Sequence, residues 1–226
     1  MNIQDLRPEK HLTVVTLALG TQTLAVPAGE EGSAAIDLLV EPRAGAEPRL
    51  AFDPERAEAE NARVRVLRAA TGKHETVSCF YDYHGKTYGA VSLGHIRSHV
   101  YGAVRAPGAH MVPRPDTYRP MWKKADGTID TDQYLAFYDQ YLDKATVGAV
   151  AGFVLEPIQG WGGSIMPPDD FFPKLRKFCD ARKLLLMVDE VLTSWGRTGK
   201  WLCTEHWGVV PDVVTIGKGF GNGFPV

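Results

Sequence analysis

Asp189 directly follows the apolar run Leu184 to Val188, and Lys218 stands between Gly217 and Gly219 just after Val213 to Ile216. Alone, each has an ordinary explanation. A carboxylate at the end of an apolar run is usually a helix cap or half of an ion pair, and a lysine between glycines is usually a loop residue in water. Together they allow more: they sit 29 positions apart at the ends of two expected strands, and the flanking glycines let other atoms approach the lysine's backbone closely. An amine and a carboxylate so arranged suit a pyridine cofactor such as pyridoxal phosphate. The lysine would link the cofactor as a Schiff base, and the carboxylate would keep the ring nitrogen protonated so that the ring can accept electrons. Tyr83 and His84 follow another apolar run, and Glu156 follows a third.

The elements that must position these residues are legible as alternating short apolar runs and longer amphipathic ones. Arg63 to Ala70 lacks Pro and Gly and ends at Gly72, which predicts a helix with a glycine stop. Glu75 to Phe80 predicts a strand, with a weaker extended piece at His110 to Pro113. Tyr134, Leu135, Tyr138 and Leu142 recur at helical spacing within Thr131 to Leu142, and Val147 to Leu155 has the length and composition of a strand. Asp169 or Asp170 is placed to cap a helix in which Phe172, Leu175, Phe178 and Cys179 share a face. Leu184 to Val188 and Val213 to Ile216 complete the strands. Strands alternating with helices predict βαβ units in an α/β fold, where ligands collect beyond the carboxyl ends of a parallel sheet.

Composition narrows the partners. The 226 residues are 44% hydrophobic and 23% charged, with a formal net charge of −2, so there is no basic excess to hold nucleic acid or an anionic membrane. No stretch approaches the roughly 20 apolar residues of a membrane span, and no targeting segment is recognisable. The 3 cysteines are widely spaced, which favours neither disulfides nor a structural metal site and fits a reducing cytoplasm. Residues 1–60 stand apart: Val26 to Arg56 is rich in Gly, Ala, Glu, Pro and Arg and lacks periodicity, so regular structure is not expected there. A cofactor-binding domain is expected over residues 61–226.

A series of strings then carries a specific resemblance. They are E-P-I-Q-G-W-G-G from Glu156, P-P-D-D-F-F, L-L-L-M-V-D-E-V-L, G-R-T-G-K, E-H-W-G-V-V-P-D-V-V-T-I-G-K-G and G-N-G-F-P-V, preceded by T-G-K-H-E at Thr71 and Y-D-Y-H-G-K-T-Y-G-A-V-S-L at Tyr81. In that order, from Thr71 to the end, the sequence resembles the class III pyridoxal-phosphate-dependent aminotransferases of the omega-amino acid and 4-aminobutyrate type. The resemblance implies part of a type I transferase large domain, with a mainly parallel sheet between two helical layers. It implies Lys218 and Asp189 as catalytic residues, Tyr83 stacked on the cofactor ring beside His84, and Glu156 near the cofactor. The implied reaction moves an amino group from an amino acid or amine to an oxo-acid, in a homodimer. Family members that decarboxylate or isomerise share this lysine and aspartate, and a non-catalytic fragment would share them too.

Departures from the family pattern accompany the matches. The phosphate-binding Ser-Gly-Ser turn of the family would fall on Glu55, Arg56 and Ala57, where the hydroxyls are missing. Leu192 replaces a glutamine that many members direct at the cofactor's phenolic oxygen. Glu190 and Arg197 also match family positions but are as well explained by a structural ion pair, and Gly160, Gly162 and Gly163 read as a flexible turn. Relatives of this family continue for about as long again beyond the lysine, so impaired activity is expected of these residues alone.

Overall fold

The computed structural model describes residues 8–9, 12–19, 22–28, 62–85, 88–94 and 105–221. Three antiparallel strands come first, β1 (Pro8–Glu9), β2 (Leu12–Leu19) and β3 (Gln22–Ala28), in the order β1-β2-β3. β3 takes in Val26 to Ala28, which corrects the expectation of no regular structure at the start of the Val26 to Arg56 stretch, because pairing with β2 supplies backbone partners that periodicity does not reveal; the rest of that stretch lies outside the described residues.

A second sheet is built from β4 (Glu75–Cys79), β5 (Ala109–Val112), β6 (Val150–Leu155), β7 (Leu185–Asp189) and β8 (Val213–Thr215), all parallel, in the order β5-β4-β6-β7-β8. The interleaved helices are α1 (Ala62–Thr71), α2 (Tyr88–Leu93), α3 (Thr131–Ala145) and α4 (Phe171–Arg182). The three helices and five strands expected from the sequence are therefore present, with ends moved by one to three residues, and α2 is added to them. Among the described residues, no helix is long and apolar enough to cross a membrane.

β6 and β7 run apolar because they are covered on both faces. Leu186 and Val188 of β7 point to one side and pack with Phe153, Leu155, Tyr138, Phe172 and Leu175 under α3 and α4. Met187 points to the other and packs with Val154, Val64, Leu67 and Leu93 under α1 and α2. At Gly152 the sheet leaves no room for a side chain, since a Cβ there would lie 2.6 Å from the Leu185 carbonyl oxygen.

The helix ends follow local chemistry. Asp130 caps α3 by accepting the Gln133 N–H at 3.2 Å. Asp170 precedes α4 but makes no side-chain cap, because its carboxylate accepts the Thr131 hydroxyl at 2.6 Å and pairs with Lys174 at 2.9 Å. Pro173 is tolerated since it falls in the first turn of α4, where no intrahelical N–H is needed. α1 stops at Gly72 with φ 69°, and α4 stops at Lys183, a non-glycine residue held left-handed at φ 54°.

β4 leads to β5 on one side, while β6, β7 and β8 extend the sheet on the other. The strand order thus reverses around β4. In open parallel sheets this reversal opens a crevice beyond the carboxyl ends of the strands.

Candidate functional site

Four strand ends feed the crevice. The turn after β4 passes through Tyr81, left-handed at φ 69°, and presents Asp82, Tyr83 and His84. Glu156 follows β6 directly, and Asp189 is the last residue of β7. β8 pairs with β7 so that Thr215 lies opposite Asp189, and Lys218 comes three residues later, opening a short 3-10 turn (Lys218–Gly221). That turn and a second one at Cys203–Trp207 were not anticipated. Lys218 has φ 47° and an exposed side chain.

Asp189 is almost fully buried and its carboxylate is held from three directions. Oδ1 accepts the Thr215 hydroxyl and the Val191 N–H, each at 3.1 Å, and Oδ2 accepts the His84 Nδ1–H at 2.8 Å. The other ring nitrogen of His84 lies 3.7 Å from Asp82 Oδ2, an ion-pair distance. Burial alone would lower the basicity of this imidazole. Its hydrogen bonds with Asp189 and Asp82, and the charge of both, outweigh that and raise its pKa to about 9. At neutral pH His84 is therefore an imidazolium between two carboxylates.

Glu156 sits on the other side of Asp82. Its Oε1 accepts the Tyr83 N–H at 2.7 Å and its Oε2 the Gly160 N–H at 3.1 Å, which ties the β4 turn to the β6 turn. Burial first, then the charge of Asp82, raise its pKa to about 7, with His84 acting in the opposite sense. The Tyr83 ring packs against Trp161 with centroids 5.4 Å apart and planes at 31°.

Two expectations need correction. Glu190 is not in an ion pair with Arg197: it is fully buried, accepts the Thr193 hydroxyl at 2.5 Å and the Cys203 and Thr204 N–H groups at 2.9 Å each, while Arg197 is exposed. A buried carboxylate needs short, convergent donors, and backbone N–H groups supply them here. Gly160 and Gly162 serve close packing rather than flexibility, while Gly163 takes a φ of 106° that favours glycine. A Cβ on Gly160 would lie 2.3 Å from Leu192 Cδ2, and one on Gly162 would lie 2.7 Å from Arg114 Nη1.

Asp82, Gln159 and Thr215 were missed as site residues. Asp82 was visible only as the D of Y-D-Y-H, two positions from the histidine, and Gln159 and Thr215 carried no local signal. The turn expected near Glu55 to Ala57, where a phosphate would bind, lies outside the described residues.

The donor set fits a protonated pyridine. The Asp82 and Asp189 carboxyl groups flank a single imidazolium, and Glu156, its pKa raised to about 7 by burial, lies beside them, so a cationic ring nitrogen beside Asp189 would find a favourable field.

Comparison with known proteins gives this geometry its relatives. Residues 52–226 match the model of the class III aminotransferases, starting inside the segment expected to stand apart. The leucine/methionine racemase of Thermococcus litoralis is 34% identical over 181 residues, which are 80% of this chain and 41% of that protein. The acetylornithine aminotransferase of Methanosarcina mazei is 36% identical over 170 residues, 75% of this chain and 38% of that protein. An amine transaminase from an uncultivated Pseudomonas species, solved in its PLP-bound form, superposes with a TM-score of 0.65 at 29% identity, over 75% of this chain and 40% of its own. The chain thus spans about two fifths of the length of the curated relatives it matches.

Proposed function

Since the chain belongs to the class III aminotransferase family, we propose that it serves pyridoxal-phosphate-dependent transfer of an amino group from an amino acid or amine to an oxo-acid. The observation carrying this reading is the pairing of β7 with β8, which sets Asp189 opposite Thr215, three residues before Lys218. Bound there, the cofactor supplies an aldehyde that takes up amino groups and a ring that accepts electrons.

In this reading Asp189, held by Thr215 and His84, keeps the ring nitrogen protonated. The amine of Lys218 attaches the cofactor and, once released by the donor, takes the proton from the donor's amino-bearing carbon. The ring of Tyr83, braced by Trp161, offers a flat surface for stacking and shields one face from water. Glu156 joins the two turns that carry these groups. Residues 61–226 would form the cofactor-binding domain, in a cytoplasmic homodimer.

The test is isotopic. Protein supplied with pyridoxal phosphate, a ¹⁵N-labelled amine or amino acid, and pyruvate is expected to yield ¹⁵N-alanine. Loss of optical activity from a chiral amino acid with no transfer of label would contradict transamination and point to a racemase-type reaction, as named for the Thermococcus relative.

A further inference from the structure

Asp82 belongs to none of the roles above, yet it is fully buried at the centre of the crevice. Both of its oxygens are engaged. Oδ2 accepts the Cys79 N–H at 2.8 Å and lies 3.7 Å from His84 Nε2, while Oδ1 accepts the Gln159 side-chain N–H at 2.8 Å and the Glu156 N–H at 3.4 Å. The single carboxylate therefore touches the end of β4, the imidazole that bonds Asp189, and the turn after β6. Gln159 in turn accepts from Arg114 at 2.9 Å, which anchors that turn to the loop after β5.

We propose that Asp82 is a positioning residue of the cofactor site: one oxygen fixes the ring of His84 and, through it, the Asp189 carboxylate, while the other locks the Glu156–Gln159 turn in register with Tyr83. This rests on reading Asp189 as the partner of the pyridine nitrogen. The physical case is charge and geometry. The imidazole is hydrogen-bonded to Asp189 through Nδ1 and lies at ion-pair distance from Asp82 through Nε2, so rotating it away from Asp189 would also separate it from the second carboxylate in a dry site. The charged groups acting on His84 are Asp82, Asp189 and Glu156, and of these Asp82 alone lies at ion-pair distance from Nε2 while also accepting from the Cys79 N–H and from Gln159. The raised basicity of His84 accords with this arrangement.

Two measurements test the proposal, the first of them without cofactor. Histidine ¹⁵N resonances of the apo protein are expected to show His84 protonated well past neutrality, with Asp82→Asn lowering its midpoint by about one pH unit or more, a tenfold change in proton affinity. His84→Gln leaves Asp82 in place and reads the same contact from the other side, so the Asp82 carboxyl-carbon resonance should move from its position in the parent protein at neutral pH. That second variant decides the question if Asp82→Asn does not fold. An unmoved His84 midpoint in the first variant, or an unmoved Asp82 resonance in the second, would overturn the proposal. In the holo protein, Asp82→Asn and His84→Gln should each weaken pyridoxal phosphate binding by about tenfold, and the double variant should be no weaker than the worse single one. Additive losses, about a hundredfold together, would mean that Asp82 does not act through His84. If the parent protein takes up no pyridoxal phosphate, the cofactor reading fails, while the resonance shifts still decide whether Asp82 and His84 are coupled.

Discussion

His84 and Glu156 both hold protons more tightly in the fold than in an open chain, and this sets a pH dependence that runs against the usual carboxylate trend. For His84 the pKa rises from 6.5 to about 9, so its contribution is fully present below pH 6.5 and is lost as pH climbs through 9. For Glu156 the rise is from 4.5 to about 7, so the folded state loses stability as pH climbs through 7 and the buried carboxyl must ionise. The partly buried Asp116, where burial raises the pKa but its backbone and Arg114 hydrogen bonds outweigh that and lower it, contributes in the opposite direction at acid pH. Unfolding by urea at pH 6 and pH 9 should therefore show the parent protein losing a few kcal/mol. His84→Gln should remove about 3 kcal/mol of that difference, the equivalent of its shift. Parallel profiles for parent and variant would show that His84 is not held as an imidazolium. The two residues were visible in the sequence; their coupling was not, because it runs over 105 positions to Asp189 and through Asp82.

Strand identity was legible wherever burial on both faces imposed an unbroken apolar run, as in β6 and β7. The short α2 and the 3-10 turn at Lys218 were not, since neither is long enough to show a period and each is held by its neighbours. The Asp170 cap illustrates a different limit: the residue type was right for capping, but Thr131 and Lys174 compete for its carboxylate. Two substitutions probe the elements. Gly152→Ala should destabilise the protein by about 1 to 3 kcal/mol, because the new methyl meets the Leu185 carbonyl oxygen at 2.6 Å and neither strand can yield. Lys183→Gly should stabilise it by about 0.5 to 1 kcal/mol, since glycine takes the left-handed conformation at φ 54° without strain and the cap uses only the backbone. Thermal or denaturant unfolding of the two variants reads both signs. A neutral Gly152→Ala would mean that β6 and β7 are farther apart than described.

At the scale of the molecule, the reversal of strand order around β4 brings together residues that no local pattern connects. The chain leaves β4 carrying Asp82, Tyr83 and His84, and only the later docking of β6, β7 and β8 adds Glu156, Asp189 and Lys218. Their shared placement after apolar runs was readable from sequence. The network inside the crevice was not, because hydrogen bonds between strand ends depend on sheet register. The central claim, carried over from the proposed function, is that Lys218 is the amine that links the cofactor. The most direct measurement is to add one equivalent of pyridoxal phosphate, reduce with borohydride, and map the labelled peptide by mass spectrometry, in the parent protein and in Asp189→Asn. The account predicts label concentrated on Lys218 in the parent and a several-fold lower yield in Asp189→Asn. Label spread over surface lysines, or equal yields at Lys218 in both proteins, would contradict it.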